Sequence, residues 1–151
     1  IITLHSDNQF KLNNFLKKNK KLILEKINKK INIFPKRVNR NFFASFRTLL
    51  VRTILSILLF RLIPDYGGHP KFLIKKNLIK TKNLPRNFSF DLCLYLYLVK
   101  RKFKCFTNIC TIEEKRNLGK STWNKNLFNQ LKLLFDFLYS SIIYYYKDKI
   151  S

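Results

Sequence analysis

Methionine is absent from this chain of 151 residues, alanine occurs once, at Ala44, and there are only 3 glycines and 4 prolines. Acid is scarce too: 8 Asp and Glu stand against 31 Lys and Arg, a formal net charge of +23. That imbalance excludes an acidic binding module and argues against a free enzyme with a neutral surface. The two histidines, His5 and His69, and the three cysteines, Cys93, Cys105 and Cys110, form no CxxC pair. A zinc ribbon or knuckle needs four ligands in two short-spaced pairs, and an odd cysteine count argues against a disulfide scaffold. Free, buried thiols are expected.

Catalytic signatures are missing as well. The chain has no GxSxG, HExxH or GxGxxG, and only Glu113 and Glu114 adjoin among its acids. Gly119, Lys120, Ser121 and Thr122 look like the end of a P-loop, but Glu114 stands where the first glycine of the phosphate cradle belongs. The reading is therefore no enzyme, no cofactor, no metal and no small-molecule substrate. No secretory signal opens the chain, since residues 1–10 carry Asp7 and no basic residue ahead of an apolar run.

What is there is apolar and basic at once. Hydrophobic residues make up 46% and aromatic residues 15% of the chain, enough to build a core. Residues 10–33 read as a basic amphipathic helix: Phe15, Leu16, Leu22, Ile23, Ile27 and Ile31 recur at helical spacing, with lysines largely off that stripe. So many like charges on one helix repel in water, and a phosphate lattice would reverse that penalty. Residues 41–63 form the most apolar stretch and read as a buried core helix, because Arg47, Arg52 and Arg61 interrupt what would otherwise be long enough to span a bilayer. The string PDYGGHP at residues 64–70 marks either a loop that approaches another backbone closely or, the commoner case, a sharp corner with His69 as a polar surface residue. Residues 71–86 read as a basic arm. Residues 88–112 alternate with period two, which predicts a β-hairpin with Lys100, Arg101 and Lys102 at its tip. Residues 113–121 read as a polar linker. Residues 122–149 read as a C-terminal amphipathic helix capped by Ser121 or Thr122. Its Tyr144, Tyr145 and Tyr146 either stack on bases or finish a core face.

The expected architecture is an α+β, mainly helical single domain over residues 1–151, with a basic N-terminal helix, an apolar core helix, a β-hairpin and a C-terminal amphipathic helix. The expected phosphate contacts are Lys17, Lys18, Lys20, Lys21, Lys29 and Lys30 on the first helix, and Lys36, Arg37 and Arg40 after Pro35. Lys75, Lys76, Lys80, Lys82 and Arg86 on the arm and Lys100, Arg101, Lys102 and Lys104 at the hairpin complete the set. Charge in several blocks between apolar elements suits a component embedded in RNA better than one reading helix in a DNA groove.

The Ile1 start, the Met-free text rich in Lys, Asn, Ile and Phe, and the basic blocks at 17–30, 71–86 and 100–104 resemble a ribosomal protein encoded by a protist mitochondrial genome, of a kind found in ciliates. A non-standard start codon or a trimmed N-terminus would account for the missing methionine. The resemblance covers the chain in style and carries no motif of a particular ribosomal family. It implies a structural role in the mitochondrial matrix: binding and bridging rRNA and neighbouring ribosomal proteins. The alternative is a small subunit of a mitochondrial inner-membrane respiratory or ATP synthase complex, with one membrane helix at 41–63.

Overall fold

Residues 32–38 lie alongside residues 105–112, and this long-range pairing organises the molecule. The computed structural model describes residues 1–4, 10–78, 84–85, 87, 89–114 and 127–147. Strand β1 (Ile2–Thr3) is followed by helix α1 (Leu12–Asn28), β2 (Asn32–Ile33), β3 (Lys36–Val38), α2 (Phe42–Leu58), β4 (Lys71–Phe72), a 3₁₀ turn (Lys75–Leu78), α3 (Phe90–Lys100), β5 (Cys105–Phe106), β6 (Cys110–Ile112) and α4 (Leu127–Lys147). The first sheet has the order β1-β4-β2-β5, with β2 and β5 parallel, and β3 and β6 form a second, parallel pair. The two parallel ladders are one run with a bulge. Ile33 faces Phe106 but Lys36 faces Cys110, so residues 107–109 hold one more residue than the opposite strand. The interruption falls at Pro35, which has no N–H to give to a ladder. The expected α+β, mainly helical class holds.

The hairpin does not. Residues 90–100 form α3, and the strands after it pair with β2 and β3 rather than with each other. The apparent period two came from Leu alternating with Cys and Tyr, all of which can be buried. Leu92 to Leu98 are in fact seven consecutive buried residues. Such a run fits a helix packed on all sides as well as a strand, and Leu favours the helix. Asp91 lies in its first turn and Lys100 in its last, as the helix dipole prefers.

Helix α1 is shorter than residues 10–33, because 32–33 are needed in the sheet. The chain leaves the helix through Lys30 (φ 57°), with the Ile31 amide donating to the Lys26 carbonyl. Helices α2 and α3 end in the same way. Phe60 (φ 47°) and Lys102 (φ 60°) take the left-handed position, with Arg61 donating to Ser56 and Phe103 to Leu98. Glycine is the usual residue at this position, and a chain with 3 glycines strains Lys and Phe there instead. One of those glycines sits where nothing else fits: a Cβ on Gly68 would lie 2.1 Å from the Pro35 carbonyl oxygen. The 64–70 corner thus presses against the β2–β3 junction.

Two apolar clusters result. In one, Phe15 and Ile23 of α1 pack on Ile33, Phe72 and Ile109, with Phe15 stacked on Phe72 at 6.2 Å. In the larger, α3 is enclosed by Phe34, Leu55, Leu59, Ile63 and Leu73, and by Phe137, Leu138, Ile142, Tyr144 and Tyr145 of α4. The stretch 41–63 therefore lines the core along one edge, through Leu55, Leu59 and Ile63, rather than being buried as a whole. Within α2 only Leu55 is buried, and its opposite face is open.

Candidate polyanion-binding surface

The cations divide into those the fold consumes and those it displays. Arg37 and Arg40 are consumed. Arg37 donates from its backbone N–H (2.9 Å), Nε (3.2 Å to Oδ1) and Nη2 (3.0 Å) to Asp65. Arg40 Nε lies 2.7 Å from Glu113 Oε2, and its Nη1 donates to Thr48 (2.6 Å) and to the Ala44 carbonyl (3.2 Å). Burial alone raises the Asp65 carboxyl, but Arg37 and the amides of Arg37 and Gly67 outweigh it and hold the group below its ordinary range. Burial likewise lowers Arg37, and Asp65 more than reverses it. Arg37 binds β3 and α2 to the 64–70 corner, Arg40 binds α2 to Glu113 after β6, and both guanidinium groups are engaged within the fold rather than displayed.

Lys71 is consumed more completely, at 0% exposure. Its Nζ lies 2.9 Å from Asp91 Oδ1 and 2.8 Å from His69 Nε2. His69 Nε2 lies 3.3 Å from Asp91 Oδ2, Nδ1 lies 3.3 Å from the Thr3 carbonyl, and Thr111 donates to the His69 carbonyl at 2.6 Å. His69 is thus buried, not a surface residue. The cluster ties β1, β4 and β6 to the start of α3. Burial raises Asp91, but His69 and Lys71 overcome it and bring the carboxyl to about 2. Lys71 is lowered, chiefly by burial, with Asp91 opposing.

The displayed cations are mostly lysines. Lys17, Lys18, Lys20 and Lys21 are exposed on α1, as are Lys29 and Lys30 at its end, and Lys29 lies 2.9 Å from Glu25. Lys36, Lys75, Lys76, Lys102 and Lys104 are also exposed. Lys100 and Arg101 are half-buried: Lys100 donates to the Tyr145 carbonyl, and the Arg101 guanidinium sits 4.0 Å above the Tyr97 ring. Lys80, Lys82 and Arg86 lie outside the described residues, as do the 113–121 linker from residue 115 onward and the capping residues Ser121 and Thr122. Tyr144 and Tyr145 pack on the core, and the exposed Tyr146 donates to the Leu58 carbonyl at 3.2 Å.

Sequence reasoning missed the internal acids, yet a signal was present. Asp91 is the only acid between Asp65 and Glu113. An isolated acid among many cations, set beside apolar text, is well placed to neutralise a buried one. The thiols are free, though only Cys93 is buried; Cys105 is half-buried and Cys110 exposed. Burial pushes Cys93 up to about 11 and Cys105 to about 12, which suppresses the reactive thiolate in both. Among the described residues no three His, Cys, Asp or Glu side chains converge as metal ligands would, and no helix is long and apolar enough to cross a membrane.

These features define an α+β, mainly helical fold in which Asp65, Asp91 and Glu113 are paired internally while Glu25, Asp136 and most of the described lysines are exposed. Comparison with protein-family models, with curated proteins and with solved structures found no match.

Proposed function

We propose that this chain is a structural polyanion-binding component, with the exposed lysines of α1 as its main contact. The rRNA of a mitochondrial ribosome is the partner that the resemblance in composition implies. One observation carries the reading. Three scarce acids, Asp65, Asp91 and Glu113, face Arg37, Lys71 and Arg40 in internal ion pairs, while Lys17, Lys18, Lys20 and Lys21 point outward on a helix whose single acid is Glu25. Internal pairing removes three acids and three cations together, so the net charge of +23 stays outside these pairs with fewer acids among it, and such a surface gains from releasing counterions off a phosphate backbone. The spread of lysines over α1, β3, the 3₁₀ turn and the segment after α3 suits bridging between RNA segments better than a single groove.

Salt-dependent RNA binding tests the reading. Neutralising Lys17, Lys18, Lys20 and Lys21 to Gln should flatten the slope of log affinity against log salt by up to about 0.9 for each phosphate that then keeps its counterion. An unchanged slope removes α1 from the interface. Sucrose-gradient fractions of the source organelle should place the chain with one ribosomal subunit, and migration with a membrane complex lacking rRNA would sink the proposal.

A further inference from the structure

We propose that the outward face of α2 lies in the interfacial layer of an anionic lipid bilayer, along the surface rather than across it. The inference goes beyond RNA binding and rests on a different element. Phe42, Phe46, Leu49, Leu50, Thr53 and Ile57 are all exposed, and at 3.6 residues per turn they fall within about 100° of one another. They form a stripe about 22 Å long at 1.5 Å per residue. Phe42 is 76% exposed, and beyond the helix end Phe60 and Leu62 reach 94% and 90%. Monomeric domains rarely leave so continuous an apolar face to water.

Charge selects the occupant. No acid occurs between residues 41 and 63; Arg47 is exposed on α2 about 60° beyond the edge of the stripe, and Arg61 is exposed between Phe60 and Leu62 just past the helix end. An apolar face flanked by cations is the pattern of a helix lying in a headgroup layer, where the rings reach the acyl boundary and arginines meet phosphates. A second copy of the chain would bring two molecules of charge +23 together with their arginines opposed, which costs electrostatic energy. A phosphate backbone suits the lysines of α1 but offers little apolar surface to a row of exposed phenylalanines. The helix has 17 residues and stays packed through Leu55, so it does not leave the fold to span the bilayer.

Vesicle flotation of the full chain tests this. With phosphatidylcholine vesicles containing phosphatidylglycerol, the chain should float at low salt and remain bound at high salt, because apolar insertion outlasts screening. With phosphatidylcholine alone, binding should be weaker. The triple variant Phe42→Ser, Phe46→Ser, Leu49→Ser should lose roughly tenfold or more of the salt-resistant partition. The four α1 Lys→Gln changes should lower only the salt-sensitive part. Circular dichroism checks that the triple variant keeps its helices, and the single variant Phe46→Ser provides a milder version with the same direction of change. Unchanged salt-resistant flotation of the folded variants would overturn the proposal. So would a loss of self-association or of RNA binding in those variants with flotation intact, either of which would assign the face to that partner instead.

Discussion

Helices α2 and α3 are written in similar text, leucines and aromatics with a few cations, yet α3 buries seven residues in a row and α2 buries Leu55 alone. The difference lies in their surroundings. Helix α3 has α4 on one side, Leu55, Leu59 and Ile63 on another and Phe34 of the β2–β3 junction on a third. Helix α2 rests on that cluster along one edge and is fixed at its N-terminal end by polar bonds, Asn41 capping Ala44 at 2.7 Å and Arg40 reaching Thr48. Apolarity of a segment therefore states that it avoids water, not which neighbour relieves it: the protein's own core covers α3, whereas one face of α2 is left exposed.

The largest expected effect falls at the anchor of α3. Asp91→Ala would leave Lys71 buried without its carboxylate, and breaking such a pair costs about 3–5 kcal/mol. Denaturant unfolding should show the loss, and near-wild-type stability would mean that α3 is held by packing alone. Next comes the direct contrast between helices. Leu96→Ala should destabilise by about 2–5 kcal/mol through lost burial and a residual cavity. Leu49→Ala on the open face of α2 should stay within about 0.5 kcal/mol. Equal effects would erase the distinction drawn between the two.

Acid should probe the same anchor. The Asp91 carboxyl sits at about 2 when folded, below its ordinary value of 3.8. Its contribution is therefore fully present above about pH 4 and is lost as pH falls through the folded value, amounting to roughly 2 kcal/mol. Unfolding curves should weaken over that window in the native chain and less so in Asp91→Asn. The smallest effect concerns the helix ends. Phe60→Gly should raise stability by about 1 kcal/mol, since the left-handed position strains Phe and its ring is almost wholly exposed. A loss on substitution would show that the Phe60 ring has a partner within the fold.

Much of the architecture was legible in the residues. The α1 stripe of Phe15 and Ile23, the break at 64–70 and the helical spacing of α4 are local patterns, and local patterns set local structure, but which face of α4 is covered was not legible: Leu131 and Phe135 are exposed while Phe137 and Leu138 pack on the core. Pro35 and the glycine pair at 67–68 were also visible, with close approach to another backbone as one reading of the pair, although that Gly68 meets Pro35 emerged only in the fold. The hairpin failed because an unbroken apolar run carries no period that separates strand from helix. Of the surface, the exposed lysines of α1 stood where helical spacing placed them. Arg37, Arg40 and Lys71 read as more of the same charge, because a cation's identity does not reveal whether an acid from a distant segment will meet it.

The sequence by itself determined the excess of cations, the shortage of glycine that leaves Lys30, Phe60 and Lys102 at strained helix ends, and enough apolar residues for a mixed helical core. The tertiary structure decided which cations are paired inside and which apolar helix is covered. Both depend on pairings between segments distant in the chain: Lys71 with Asp91, Arg37 with Asp65, residues 32–38 with 105–112. Burial and charge neutralisation are properties of such meetings, and no single segment carries them alone.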